Sequence, residues 1–315
     1  MKFITHTEKN GTSAYDSIFA QGASVIARDG DLSAGLWFDH TPIHQGHPIG
    51  TIGECLIDSS PASVEFLSHC ADYLHQYHHC STVVGPMNGN TWLRHRLVLE
   101  SSGRPPFLME PQEPEHFKTT FEAAGFSILS QYSSSLIQLT PDQPTFPSLE
   151  KRLEQRGVTI RSIRPERFEE DLTAIFRLSL ISFSNNFLYT PLDQASFVGK
   201  YRSAQEHIDP ELILLAERDG KLVGYVFCIP DLEAHKYQQA PAVIVKTLAA
   251  LPDRTLSGLG TVLVARAQQK AKSKGYSEAI HALQYESNSS LRISQRFSAE
   301  VFRRYALMTK NFTPA

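Results

Sequence analysis

One hairpin signature occurs twice in this chain, about 190 residues apart, and each copy sits in the same run of elements. Ala27-Arg-Asp-Gly-Asp-Leu-Ser-Ala-Gly-Leu-Trp-Phe38 is echoed by Glu217-Arg-Asp-Gly-Lys-Leu-Val-Gly-Tyr-Val-Phe227. Asp-Gly between apolar runs is a strong hairpin signal, because both residues tolerate positive φ. A strand-rich stretch follows in each place (residues 49–57 and 242–248), then a helical segment (63–77 and 258–274), then another strand (82–84 and 278–283). The repeated order points to duplication and to an α/β or α+β layering of helices on a sheet.

Thr140-Pro-Asp-Gln-Pro-Thr-Phe-Pro147 separates the copies. Prolines at this density exclude a helix interior or a central strand, so the stretch reads as a linker. A short charged helix over 148–156 follows, ending at Gly157, and Val158-Thr-Ile-Arg-Ser-Ile163 alternates as a strand. The expected division is a first domain over 1–139, a linker over 140–156 and a second domain over 157–315. A chain of 315 residues suits two domains of ordinary size.

Hydrophobic residues make up 41% and charged residues 20%, which excludes disordered and coiled-coil classes. A net charge of −3 supplies no field to hold a polyanion, so nucleic acid is not an expected partner. Four scattered cysteines without Cys-x-x-Cys read as reduced thiols. The opening stretch, residues 1–9, lacks the apolar core of a signal peptide, and no apolar run is long enough for a membrane span. The expectation is a cytoplasmic protein with no membrane partner; its oligomeric state stays open. His75 and His79 stand at i, i+4, the spacing of a two-histidine zinc pair, but no third ligand has motif spacing, so no metal is expected.

The most informative stretch runs Val243-Ile-Val-Lys-Thr-Leu-Ala-Ala-Leu251, Pro-Asp-Arg-Thr-Leu-Ser257, Gly258-Leu-Gly-Thr-Val-Leu263. A strand enters a turn and then a helix that begins with glycines. First-turn N–H groups lack intrahelical acceptors, and Gly258 and Gly260 leave room for an anion to approach them. A Walker loop is excluded because no Lys follows Gly260. A dinucleotide fingerprint fits poorly, because Leu263 stands where a third small residue belongs and Glu278 opens a strand rather than closing one. Small residues kept only for packing remain the plain alternative.

From Val158 onward the order is strand, helices, Asp-Gly hairpin, strand, glycine turn, helix, strand and an apolar-aromatic finish. That order, with the loop, resembles the GNAT superfamily of acyl-CoA-dependent N-acyltransferases over about residues 157–312. The resemblance implies that Leu256, Ser257, Gly258, Leu259, Gly260 and Thr261 hold the pyrophosphate of acetyl-CoA through backbone amides. Thr255 occupies the place of the family's basic residue, with Arg254 one position early. It also implies that Leu248, Ala249, Ala250 and Leu251 offer backbone groups to the pantetheine arm, with Asn288 on its other side.

Acyl transfer asks for a base to take the amine's proton and an acid for the leaving sulfur. The family's tyrosine falls near Ser294-Gln295, where no Tyr stands, so Tyr285 and Ser294 are the candidate substitutes, with Glu286 as candidate base. Asp231 and Glu233 are candidates for recognising a cationic amine. The first half resembles a second, degenerate GNAT-like domain, so the fold reads as two tandem GNAT-like domains, each a mixed, mostly antiparallel sheet flanked by helices. Asp58-Ser-Ser-Pro-Ala62 lacks the glycines for pyrophosphate, and Trp92, Arg94 and Arg96 are candidates for an acceptor-pocket wall. The expected activity is transfer of an acetyl group from acetyl-CoA to a small-molecule or peptide amine. The alternatives are a non-catalytic CoA-binding scaffold and a nicotinamide-dependent oxidoreductase.

Overall fold

The computed structural model describes residues 1–6, 15–202, 205 and 208–312. Residues 7–9 of the amino-terminal stretch and residues 313–315 of the second expected domain lie outside them. The first half comprises β1 (Lys2–Thr5), α1 (Asp16–Ala20), β2 (Val25–Asp29), β3 (Leu32–Trp37), β4 (Ile43–His44), β5 (His47–Pro48), β6 (Gly50–Leu56), α2 (Pro61–His78), β7 (Thr82–Gly85), β8 (Leu97–Ser101), α3 (His116–Ala123) and β9 (Ser127–Gln138). Then come α4 (Pro147–Glu154), β10 (Thr159–Ser162), α5 (Phe168–Ser182), α6 (Gln194–Arg202), β11 (Ile213–Arg218), β12 (Lys221–Pro230), α7 (Glu233–Lys236), β13 (Ala242–Ala250), α8 (Leu259–Ser273), β14 (Glu278–Tyr285), α9 (Ser290–Gln295) and β15 (Glu300–Asn311).

Both hairpins form, with different turns. Arg218 faces Lys221, so Asp219 and Gly220 are the turn, and both have positive φ (53° and 71°). Asp29 faces Leu32 instead, which shifts the first turn onto Gly30 and Asp31. Ser60 caps α2 by accepting the N–H of Ser63, with Pro61 in the first turn, as the sequence suggests. The face Leu259, Val262, Leu263, Ala267 and Ala271 of α8 is buried against the sheet. Lys270 and Lys274 at its end pair with Glu211.

The halves share one 13-stranded sheet, ordered β1-β2-β3-β6-β7-β15-β9-β14-β13-β12-β11-β10, with β8 pairing to β15 off this path. Each stretch closes with a strand that lies in the other's part of that sheet. β9 pairs antiparallel with β14, while β15 pairs antiparallel with β7. β9 and β15 also pair with each other from Glu300↔Leu136 to Thr309↔Ser127. Ala306 and Met308 of β15 are accordingly buried in the first-half core with Phe66, Leu67 and Phe121. The linker separates the halves in sequence order, but neither half completes its core alone.

At the far end of the sheet, Asp171 ties α5 to β10. Burial pushes its carboxyl up, yet hydrogen bonds from Arg161, Arg164 and the Arg164 backbone outweigh that and bring it from 3.8 to about 2. Both guanidiniums are partly solvated, so Asp171→Asn should cost about 2 kcal/mol, the lower part of the range for charge-assisted hydrogen bonds. The lowered pKa makes this stability complete above pH 3.8 and lost as pH falls through about 2. Urea titrations between pH 2 and 7 should therefore show variant and parent converging at the acid end. A constant gap would assign the loss to packing.

Candidate functional site

β13 and β14 run parallel from Ala242↔Glu278 to Val245↔His281 and then part. Phe227 faces Thr247 and Cys228 faces Val245, so Lys246 is a bulged residue with no partner on β12, just where the strands separate. From there no strand among the described residues pairs with the edge of β13 that faces β14, although Ala250 O accepts from Ser182 Oγ at 3.2 Å. β14 is bulged on its other side, where Leu283 adopts φ 53° and donates its N–H to Ser134 Oγ at 3.0 Å. A cavity of about 1030 Å³ opens in the gap. Its second-half wall includes Lys246, Leu248, His281 and Tyr285, and its first-half wall comprises residues 91–96, 107–112 and Tyr132. Trp92 crosses between the halves, donating Nε1–H to Thr190 O at 2.7 Å.

The glycine loop lies at one end of this gap. Gly258 has φ +91°, and the first bond of α8 runs from Val262 N to Gly258 O, which leaves the N–H groups of Leu259, Gly260 and Thr261 ahead of the ladder. A Cβ on Gly260 would sit 3.1 Å from Ile293 Cδ1 and 3.4 Å from Leu248 Cδ2, and both those residues line the cavity. Arginines from neighbouring elements gather here. Arg152 donates to Ser257 O at 2.6 Å, Arg218 to Thr255 Oγ1 at 2.8 Å, and Arg156 to Thr255 O. Positive charge thus reaches the loop from Arg152 of α4 and from Arg156 just beyond it, while Arg218 of β11 is paired with Asp253 at 2.9 Å. The corresponding end of α2 is different: the Asp58 carboxylate accepts from Ser60 N, Ser60 Oγ and Ser63 Oγ. Those bonds lower its pKa from 3.8 to about 2, so a resident anion already occupies that helix end.

The expected site residues separate into three groups. Leu248, Tyr285 and Asn288 line the cavity. Leu256 to Thr261 form the loop at its end, while Ala249, Ala250 and Leu251 continue past it, with Leu251 N bonded to Val223 O. Glu286 is exposed and lies outside the lining, its N–H donating to Gln131 O. Ser294 is buried rather than on a helix surface; it hydrogen-bonds His281 Nδ1 at 2.7 Å and Gln284 Oε1 at 2.9 Å. Asp231 does not face the cavity either: it accepts from Leu108 N and Glu233 N and fixes a loop. His79 adopts φ 55° beyond the last turn of α2, so it leaves the helical face of His75.

The sequence and the fold compare directly with known proteins at this point. Residues 172–297 match the acetyltransferase (GNAT) family. This segment is a GNAT-family domain. The chain is 22% identical to the bacterial ceramide synthase of Caulobacter vibrioides over 189 residues, covering 60% of this chain and 49% of that protein. It thus spans about half the length, or less, of the curated relatives it matches. A GCN5-related N-acetyltransferase from Sphaerobacter thermophilus shares the fold at a TM-score of 0.55 and 16% identity, over 92% of this chain and 80% of that one. A tandem GNAT protein from the clavulanic acid biosynthesis pathway does so at 0.51 and 14%, over 92% and 83%. Among the described residues, no helix is long and apolar enough to cross a membrane, and no cluster of metal-ligating side chains forms.

Beyond the GNAT segment, the first half contributes groups that sequence reading passed over. His95 Nδ1 lies 2.8 Å from Leu93 O, a carbonyl that can only accept, so the proton sits on Nδ1. Nε2 is then a lone pair, buried and without a donor, on the cavity wall. Burial and the adjacent Arg96 hold this imidazole well below the ordinary histidine pKa. Glu110 is the one carboxylate among the described lining residues, and Arg303, Tyr305 and Phe107 N engage its oxygens. Burial of His281 lowers its pKa from 6.5 to about 4, so it too is neutral at pH 7. His95 stands outside any motif, 21 residues before the next histidine, and carries no sequence signal.

Proposed function

We propose that the chain moves an acyl group, acetyl in the simplest case, from acyl-CoA to a primary amine held in the shared cavity. The observation that carries this reading is the parting of β13 from β14 into a large cavity, with a glycine-opened helix at one end. The first-turn N–H groups of α8 would hold the pyrophosphate, and the unpaired edge of β13 from Lys246 would lie along the pantetheine arm. A backbone N–H on that edge would polarise the thioester carbonyl. The amine nitrogen attacks the carbonyl carbon, its proton passes to His95 Nε2, and the C–S bond breaks. The departing sulfur takes a proton from Tyr285, which lines the same cavity and stacks on Phe187 at 5.3 Å.

Calorimetry with acetyl-CoA tests the donor site, and thiol release with a panel of amines tests transfer. Absence of binding at 1 mM would sink the reading. His95→Ala should lower kcat by about 10²–10⁴-fold with the donor Kd unchanged, the usual contribution of general acid–base catalysis. The exposed position of Glu286 and the saturated Glu110 favour one second reading, a CoA-binding scaffold without turnover. Donor binding without thiol release from any amine in the panel would select it.

A further inference from the structure

The ionisable groups on the cavity wall do not cancel. Arg94 is paired with Glu113 at 2.7 Å, and Glu110 is paired with Arg303. Two cations remain for which no carboxylate partner is found among the described residues, Arg96 and Lys246. The Arg96 guanidinium carbon lies 4.0 Å from the centroid of the Tyr132 ring, and its buried Nε has no acceptor among the described residues. A buried donor on a charged group that finds no partner is costly, and such groups point to a missing ligand. The backbone adds a second sign. Arg96 has φ +86°, a conformation costing a long side chain about 1–3 kcal/mol, and it is held there by its own N–H to Pro86 O and by the Met87↔His95 bridge.

Arg96 is also close to the chemistry. Tyr132, under its guanidinium, lies 5.4 Å from Tyr285, and His95 is its neighbour in the chain. Aromatic rings, among them Phe187, Tyr189 and Phe197, form part of the remaining walls. We infer that the cavity selects an acceptor carrying a carboxylate on an apolar, amine-bearing body, and that Arg96 is the specificity residue receiving that carboxylate. The fork of a guanidinium matches a carboxylate with two parallel hydrogen bonds, which an ammonium cannot reproduce. Lys246, on the opposite half of the chain, adds positive potential without a pairing anion. The inference rests on the acyl-transfer reading only for the role of the ligand as acceptor; the anion site stands on the wall charges alone.

Binding without turnover tests it first. Calorimetry on the intact chain should show 3-phenylpropionate binding at least about tenfold tighter than 3-phenylpropionamide, the ratio a single charge-assisted hydrogen bond supplies. Equal affinities overturn the proposal. Arg96→Met should erase the preference while leaving the amide's affinity and the acetyl-CoA Kd unchanged, and Arg96→Lys should retain part of it. Loss of acetyl-CoA binding in Arg96→Met, with the acid preference kept, would instead assign Arg96 to the donor and overturn the proposal. Should Arg96→Met fail to fold, the acid–amide pair on the parent chain decides alone. Phenylalanine against phenylalaninamide in the thiol-release assay then separates the two readings. Acid preference in binding without transfer strikes the acyltransferase reading, whereas transfer with no acid preference strikes this one.

Discussion

Gly260→Asp should abolish acetyl-CoA binding, raising Kd by more than about 100-fold, while leaving the melting temperature within a few degrees. Two physical effects act in opposite directions on the two readouts. For the fold, a Cβ at this position meets only the ends of the Ile293 and Leu248 side chains, at 3.1 and 3.4 Å, and these can give way. A carboxylate in the first turn of α8 interacts favourably with the helix dipole, by about 0.3–1 kcal/mol, and a side chain replaces the glycine's extra chain entropy. For the donor, the same carboxylate competes for the N–H groups of Leu259, Gly260 and Thr261 and repels the pyrophosphate. Losing even one or two charge-assisted hydrogen bonds at about 1.5–3 kcal/mol each accounts for the stated factor. A carboxylate already stands at the start of α2, where Asp58 accepts from Ser60 N and Ser63 Oγ. Retained donor affinity in a folded Gly260→Asp would place the phosphates elsewhere.

Arg303→Met should be the most destabilising single change, by about 3–5 kcal/mol, because it strands a buried carboxylate. The Arg303 and Glu110 side chains are 6% and 0% exposed, and the pair joins β15, the last strand, to the first-half wall of the cavity. Arg303 also donates to Ser101 Oγ at 3.2 Å and to Arg104 O, so the loop over 101–110 loses its anchor as well. Burial already pushes the Glu110 carboxyl above its usual range, despite Arg303 and Tyr305. A raised folded-state pKa means that the fold prefers the protonated acid: this contribution is present below the ordinary carboxyl pKa and is lost as pH rises through the raised one. Without Arg303 the shift grows, so the loss should be largest at pH 8 and shrink toward pH 5. Denaturant titrations at both pH values measure it, and Glu110→Gln in the same chain should recover most of the deficit at pH 8. A loss below 1 kcal/mol, or one independent of pH, would contradict the argument.

Both effects concern features of different legibility. The loop was readable because its signal is local: a strand, a turn, Gly258, Gly260 and the α8 face fall within thirty consecutive residues, and each follows from short-range geometry. The same holds for the two hairpins, although a turn one residue off in the first copy shows how weakly the Asp-Gly pair fixes register. Glu286 illustrates the limit. Strand alternation places a carboxylate near the end of β14, but which side of that end faces the gap depends on the bulge at Ala282–Leu283, and a bulge leaves no reliable mark in a sequence. Trp92, Arg94 and Arg96 were legible as a pocket wall, but His95 and Glu110 were not, because they lie in irregular stretches, and the partners of Glu110, Arg303 and Tyr305, lie far along the chain on β15.

By itself the sequence determined the elements, their repeated order, the proline-rich break between the copies and the glycine-opened start of α8, because these rest on turn chemistry, periodicity and capping within a few residues. Tertiary structure decided where the closing strands go. β9 and β15 are both long strands with exposed and buried residues interspersed, and either slot offers an open edge, so local pattern does not choose between them. Pairing β15 with β7 and β9 with β14 is settled by long-range burial, including the Arg303–Glu110 pair and the Tyr305 hydroxyl. That exchange makes one sheet of two copies and gives the second half's strand gap a wall built by the first, with His95 and Arg96 on it.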